Sequence, residues 1–230
     1  MHDESNDPMF APAVVQPAVD FLASLAGDGP ALEFGVGTGR IALPLSARGA
    51  RVHGIDLDEA SIARLRAKPG GDAIGVTIGD FARVQVDGRF RLVYLVFNTI
   101  MNLVTQDAQV ACFENAAHHL QRGGCFVIET MIPALRRLPS GERFVVFDGS
   151  PSHWGVDEYD VANQQLVSHH FDMDGDRARK SSGLFRYALP GEFDLMARLA
   201  GLELRERWAG WGREPFTSES TSHVSVWQKR

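Results

Sequence analysis

The chain is poor in cysteine: among its 230 residues only Cys112 and Cys125 carry thiols. Neither belongs to a C-x-x-C pair, so a disulfide scaffold is excluded as the basis of the fold and two reduced, buried thiols are expected. The adjacent pairs His118-His119 and His169-His170 lack the i,i+4 spacing that sets two imidazoles on one helix face, and no metal site is expected. The longest apolar run, Leu92 to Phe97, is far too short to span a membrane. The opening residues Met1-His2-Asp3-Glu4-Ser5 lack the basic-then-apolar order of an export signal. A soluble, cytoplasmic protein, monomeric or homodimeric, is therefore expected. No long basic run occurs either: 23 Lys and Arg against 29 Asp and Glu leave a formal charge of −6. That balance speaks against a nucleic-acid partner. Internal repeats and low-complexity stretches are absent, and the length can bury the core of one domain.

What is present begins at Glu33 to Gly39, E-F-G-V-G-T-G. Glycines at alternate positions let a chain leave a strand, turn tightly and pass beneath a ligand where a Cβ would collide. A dinucleotide fingerprint, G-x-G-x-x-G counted from Gly35, needs glycine where Arg40 stands. A phosphate-binding P-loop is excluded because no G-K-[ST] follows. Glu33, two residues before the first glycine, repels a pyrophosphate but suits a cationic amino-acid moiety, such as an ammonium beside a sulfonium. About 20 residues beyond the loop, where Rossmann-type folds place the acceptor for ribose hydroxyls, Arg51-Val52-His53-Gly54-Ile55-Asp56 ends in a carboxylate. Asp56 is the expected ribose ligand, while Asp58 is better placed to cap the following helix.

These motifs resemble those of the class I S-adenosylmethionine-dependent methyltransferases. Glu33, Gly35, Gly37 and Gly39 match the family's [DE]-x-G-x-G-x-G, and Asp56 matches the acid of its second motif. Ile78-Gly79-Asp80-Phe81 matches the third, which implies Asp80 as the adenine hydrogen-bond partner and Phe81 as an apolar wall. The implied cofactor contacts are completed by Leu57, beside Asp56, and by Phe97, at the end of the fourth strand. The resemblance covers residues 13 to 130 well and implies S-adenosylmethionine as cofactor, S-adenosylhomocysteine as product and a small-molecule acceptor. Insertions of this kind are similar to those of small bacterial enzymes acting on aminosugars and other natural products. Relatives often carry a Tyr-Asp pair ahead of a lid helix, whereas this chain has His2-Asp3 before Met9-Phe10.

The pattern along the chain predicts a helix over 14–26, weakened near its start by Pro17. Strand 31–35, helix 38–48, strand 51–56, helix 59–67, strand 73–78, strand 90–97, helix 106–120 and strand 124–130 follow. Val110, Phe113, Ala117 and Leu120 form a core-facing stripe on the 106–120 helix. After Pro139, short strands at 144–147, 166–173 and 185–189 separated by turns read as an antiparallel insertion. A helix from Pro190 to Gly201 and strands 202–208 and 222–228 close the chain. The expected architecture is α/β: a Rossmann-like, mostly parallel seven-stranded sheet with helices on both faces, a C-terminal reversed β-hairpin and an antiparallel β insertion capping the active site. In sequence terms this is one domain, with a lid segment (1–28), a cofactor core (29–138), a cap (139–189) and a completing helix and hairpin (190–230).

Methyl transfer is an in-line displacement in which the electrophile arrives activated, so the protein mainly aligns a nucleophile. No single motif is obligatory. Asn98, after the fourth strand, either contacts the nucleophile and cofactor or caps a turn. The N-P-P-Y signature of exocyclic-amine methylation is missing there. Asn102, and Glu129 on the fifth strand, are further pocket candidates. Alternation over 166–173 puts Val167, His169, Phe171 and Met173 on one face and Ser168, His170 and Asp172 on the other. His169, on the more apolar face, is either a general base or a core histidine with one partner. His153, Trp154 and Tyr159 either line the pocket or pack the insertion. Transfer to an N or O atom of a small molecule is the leading reading. A non-catalytic S-adenosylmethionine-binding protein is the second; a nicotinamide-dependent oxidoreductase is opposed by Arg40 and by the lack of Y-x-x-x-K.

Overall fold

A computed structural model describes residues 8–175 and 177–230. The His2-Asp3 pair and Asp176 lie outside the described residues. Strands β1 (Ala31–Phe34), β2 (Val52–Asp56), β3 (Gly75–Ile78), β4 (Phe90–Leu95), β5 (Leu120–Met131), β10 (Leu202–Trp208) and β11 (Ser222–Lys229) form one sheet, ordered β10-β11-β5-β4-β1-β2-β3. All pairings from β3 to β5 are parallel, and β11 runs antiparallel to both its neighbours. The reversed C-terminal hairpin is therefore present, with β11 inserted between β10 and β5.

Because side chains alternate across a strand, each central strand feeds two apolar layers. Leu32, Phe34, Val93, Leu95, Phe126 and Ile128 enter one layer, under α4 (Gln106–His119) and α5 (Pro190–Leu199). Ala31, Leu92, Tyr94 and Val127 enter the other, under α1 (Pro12–Ala26) and α2 (Ala42–Ala47). Pro12 occupies the first turn of α1, where its missing N–H costs nothing, and the helix continues through Pro17 because Val15, Ala18, Val19, Leu22 and Leu25 are buried against the sheet. In α3 (Glu59–Arg66), Asp58 is the N-cap and accepts from Ala60 N at 3.0 Å.

Several expected boundaries shift for local reasons. Helix α2 starts at Ala42 rather than 38, because Gly39 holds φ +83° ahead of it. A 3-10 turn at Gly71–Ala73 delays β3 to Gly75. Strand β4 stops at Leu95 instead of 97, since Phe97 and Asn98 both have positive φ. Phe113 and Ala117 are buried as the stripe on α4 implied, whereas Leu120 already opens β5.

Between β5 and α5 the chain builds a second, four-stranded antiparallel sheet, β6 (Phe144–Ser150), β7 (His153–Asp160), β8 (Gln165–Asp174) and β9 (Arg177–Arg186), in sequential order. Two of these strands differ from expectation. The aromatic stretch His153–Asp160 is a full strand, paired on both sides. Of the third expected strand, 185–189, only Phe185 and Arg186 are strand, as the tail of β9, whose earlier residues Arg177 to Ser182 are exposed. No apolar alternation marks that half, and six of the ten register pairs with β8 hold it instead.

The cap is tied to the core where β9 ends. Arg186, nearly fully buried, donates to Gln109 Oε1 (2.5 Å) on α4, Gln164 Oε1 (2.9 Å) before β8 and Glu192 Oε1 (2.7 Å) on α5. Gln109 returns a bond to Arg186 O at 3.1 Å. Truncating one member of a buried ion pair strands the other. Arg186→Met should lower unfolding free energy by about 3–5 kcal/mol in urea titration, a loss typical of breaking such a pair. A loss below about 1 kcal/mol would mean that the network is solvated like a surface pair.

Candidate active site

The glycine loop leaves β1 and turns over β2, with Gly35 N and Val36 N donating to Ile55 O at 2.8 and 3.2 Å. Gly35, Gly37 and Gly39 have φ of +73°, +52° and +83°. A Cβ on Gly35 would come within 2.7 Å of Thr99 Cγ2, while one on Gly37 would meet nothing. Gly35 thus lets the loop pack against the chain after β4, and Gly37 faces open space. That space is a crevice of about 290 Å³ at the carboxyl ends of the strands, bordered by Glu33, Gly35, Gly37, Arg40, Val96 and Thr99. Phe10, in the 3-10 turn before α1, also borders it, and Arg40 Nη1 reaches Met9 O at 3.5 Å. The N-terminal segment therefore closes one side of the crevice.

Glu33 is the ionisable group at its floor. Its carboxylate accepts from Tyr94 Oη at 3.0 Å. Burial pushes its pKa up to about 8, against the opposing effects of the Tyr94 bond and the Arg40 charge. An uncompensated buried carboxylate is costly, so the site favours a proton or a ligand cation beside Glu33.

Above it, the guanidinium of Arg40 stacks over the Phe97 ring. Phe97 (φ +56°) and Asn98 (φ +61°) form a left-handed turn. Glu129 Oε2 accepts from Phe97 N at 2.7 Å, and Asn98 Oδ1 accepts from Met131 N (2.6 Å) and Thr130 Oγ1 (3.1 Å). Glu129 and Asn98 are thus the clamps of this turn. Asn102 donates from Nδ2 to Thr99 O at 3.2 Å and is exposed, so it caps a 3-10 turn and lines neither cavity described here. That corrects its assignment as a pocket residue.

At the end of β2, Asp56 accepts from Gly37 N (2.6 Å) through one oxygen and from Asp58 N (2.9 Å) through the other. A carboxylate has about four acceptor sites, so capacity remains for two hydroxyls. Leu57 and Ile78, at the ends of β2 and β3, are 66% and 53% exposed, an apolar rim with nothing packed over it. Asp80 Oδ1 accepts from Ala82 N at 2.9 Å. Phe81 departs from expectation: its ring is buried and stacks on Phe34 at 5.7 Å between centroids, so it supports the sheet from within the core.

A second cavity, of about 390 Å³, lies between the Asn98 turn and the cap. Met101, Met131, Phe147, Leu166 and Phe185 give it apolar walls, and Asn98, Asp157, Ser168 and His170 are its polar groups. The alternation expected in β8 holds, but the face is reversed. Leu166, Ser168 and His170 face the cavity, while His169 points away to Ser182 Oγ (2.8 Å) and Glu158 Oε2 (3.2 Å). The face of β8 that borders this cavity is the one with Ser168 and His170, so apolar character alone does not pick it out. Trp154 is 55% exposed on the outer face of β7. Tyr159 is buried and its hydroxyl accepts from Ala134 N at 3.1 Å, anchoring the cap's base. His153 lies on the inner side, outside the cavity lining, and reaches it through His170, at 3.0 Å, and the Phe147 ring. Asp157, Ser168 and His170 were not singled out from the sequence, where only the two-residue period of β7 and β8 connected them. Burial raises the pKa of Asp157, opposed by its hydrogen bond from Ser168. Among the described residues no group of three or more His, Cys, Asp or Glu side chains is arranged to hold a metal ion.

Sheet order, glycine loop and strand-end acids define a Rossmann-like protein that binds its ligand beyond the carboxyl ends of the strands. Residues 31–124 match the family described as a methyltransferase domain. The structure of the CcbJ methyltransferase from Streptomyces caelestis is similar over 97% of this chain and 90% of that one, with 36% identity and a TM-score of 0.85. The cypemycin N-terminal methyltransferase of a Streptomyces species is 28% identical over 202 residues, 86% of this chain and 82% of its own length. S-adenosylmethionine-bound CalS10, an amino pentose methyltransferase from Micromonospora echinaspora, shares the fold at 21% identity and a TM-score of 0.68, over 92% and 89% of the two chains. The chain belongs to the Rossmann-like S-adenosylmethionine-dependent methyltransferases. The crevice fits that cofactor: an open cradle at Gly37, a buried carboxylate for a cation and an exposed apolar rim for a flat ring.

Two outcomes are expected. Asp56→Ala should weaken S-adenosylmethionine binding by about 1–3 kcal/mol in calorimetry, the worth of hydrogen bonds to a charged acceptor. Unchanged affinity would remove Asp56 from the ribose site. For Glu33 the folded chain holds a proton between about pH 4.5 and 8 that the unfolded chain has released, so its contribution to stability falls as pH rises through that window. A cation seated against Glu33 needs the ionised form. Cofactor affinity should therefore increase with pH and level off above about 8, with protons released on binding, and Glu33→Gln should abolish both effects.

Proposed function

We propose that this methyltransferase transfers a methyl group to a nitrogen or oxygen atom of a small natural-product-like acceptor held in the cavity under the cap, with an amine favoured. The observation that carries the reading is the placement of two cavities on either side of one turn. Val96 and Thr99 border the glycine-loop crevice, and Asn98 and Met101 border the cap cavity. An acceptor atom presented near Asn98 would face a donor methyl across that turn.

When bound, S-adenosylmethionine supplies an electrophilic methyl on a sulfonium. This chain's residues would do the remainder: Asn98 orients the acceptor, the apolar walls exclude water, and Asp157 attracts a cationic amine. The names of the relatives agree with such acceptors, one acting at a peptide N-terminus and another on an amino pentose. A cavity of about 390 Å³ with a few convergent polar groups supports a small-molecule acceptor.

Labelled S-adenosylmethionine tested against panels of amines, phenols and carboxylates is the direct experiment. Label should appear in amines first; product formation from no panel would end the reading. Gly155 provides a sharper check, because a Cβ there would run into the Phe147 ring on the cavity wall. Gly155→Ala is expected to raise the acceptor KM at least about tenfold, the scale of a misfit of one methylene in a pocket, with cofactor affinity unchanged.

A further inference from the structure

Inside the cap, five side chains form one continuous line from the acceptor cavity to solvent. Asp148 Oδ2, on β6, lies 2.7 Å from His153 Nδ1. His153 Nε2, on β7, lies 3.0 Å from His170 Nδ1. His170 Nε2, on β8, lies 3.3 Å from Ser168 Oγ, whose single hydroxyl proton can serve either that nitrogen or the Asp157 carboxyl. His170, Ser168 and Asp157 border the cavity, whereas the Asp148 side chain is 39% exposed. His153 and His170 also pack against Phe147, at 6.4 and 5.4 Å between ring centroids.

The hydrogen-bond partners dictate where protons can sit. Asp148 as a carboxylate only accepts, so His153 Nδ1 carries a proton. With His153 neutral, its Nε2 must accept from His170 Nδ1, and His170 Nε2 is left as a base facing Ser168 and the cavity. One proton added at His170 Nε2 reverses the line. His170 passes its Nδ1 proton to His153, which becomes an imidazolium against Asp148, and Ser168 turns its hydroxyl to Asp157. The positive charge thereby moves from the cavity to the solvent-facing end without any side chain leaving its partner.

We propose that His170 takes the proton that the acceptor must lose and hands it through His153 to Asp148 and bulk water. This rests on the methyl-transfer reading above and gives it a base. An ammonium acceptor has no lone pair; its N–H bond breaks with the electrons staying on nitrogen, and the proton bonds to His170 Nε2. The nitrogen pair then forms the N–C bond as the C–S bond breaks with its pair going to sulfur, leaving a thioether and a methylated ammonium. No oxidant, reductant or metal is required.

Other charged groups near His170 do not interrupt the line. From β7 they are His153 and Asp157, and from β6 Asp148. On β9 Ser181 lies opposite His170, and Arg179 faces Asp172, its partner at 3.6 Å. On the core side Asn98 and Met131 are neutral.

Imidazole nitrogen-15 NMR of the intact protein tests the wire without any acceptor. Neutral His153 and His170 should each carry their proton on Nδ1. Asp148→Ala, which removes the acceptor at the exposed end, should release His153 to the Nε2–H form and with it move the His170 proton to Nε2, although Asp148 and His170 do not touch. An Nε2–H tautomer of neutral His170 in the wild-type protein, or no change of its tautomer in Asp148→Ala, would overturn the wire. With a methylated acceptor in hand, His170→Gln should reduce kcat by at least about 100-fold, as loss of a general base does, and leave cofactor affinity intact. Wild-type kcat in His170→Gln would overturn its role as base even if the tautomers are as described. Failure of the wild-type protein to methylate any acceptor would instead overturn the functional reading, and the tautomers would still decide the wire.

Discussion

At the carboxyl end of β4 the chain takes two consecutive left-handed residues, Phe97 and Asn98, and both cavities depend on that turn. Positive φ in residues with a Cβ costs on the order of 1–3 kcal/mol each and survives only where the surroundings over-determine it. Here β5 does so: Glu129 holds the Phe97 amide, and the Thr130 hydroxyl and Met131 amide hold the Asn98 side chain. The turn sends Phe97 toward Arg40 and the glycine loop and Asn98 toward the cap. One clamped irregularity thus sets two cavities side by side.

The two spaces differ in their electrostatics. The cofactor crevice holds one ionisable carboxyl, Glu33, taken out of water with Tyr94 beside it, and a second, Asp56, at the rim. Such a carboxylate is expensive without a counter-charge and discriminates strongly for a cationic ligand. The cap cavity is mainly apolar, with its polar groups gathered on the inner faces of β7 and β8. Those strands lean on the core through Tyr159, Leu166 and the Arg186 network, so the polar inner face is carried on a rigid base.

The cofactor half was legible in the chain because its requirements are local. Gly35 and Gly39 must adopt backbone angles that other residues resist, and Asp56 must end a strand a fixed distance along. The cap cavity was much less legible. His169 and His170 differ by one position, and which of them faces the cavity depends on register against β7 and β9 and on which side of the cap meets the core. Strand β7 and the polar half of β9 escaped notice because pairing with β8, rather than their own apolar alternation, makes them strands. Phe81 sits beside the third acid in sequence, yet its ring was claimed by Phe34 and the core.

The sequence by itself determined the βα order, the glycine loop, the strand-end acids and hence the family. Each is a short-range constraint, written in backbone angles, periodicity or spacing along one strand and turn. Only the tertiary structure decided which face of the cap looks inward, how Glu129 and Thr130 on β5 secure the turn after β4, and that Asp148, His153 and His170 from three strands stand in line. The physical reason is that groups 5 to 32 positions apart meet through strand pairing and sheet packing, for which no local pattern in the chain exists.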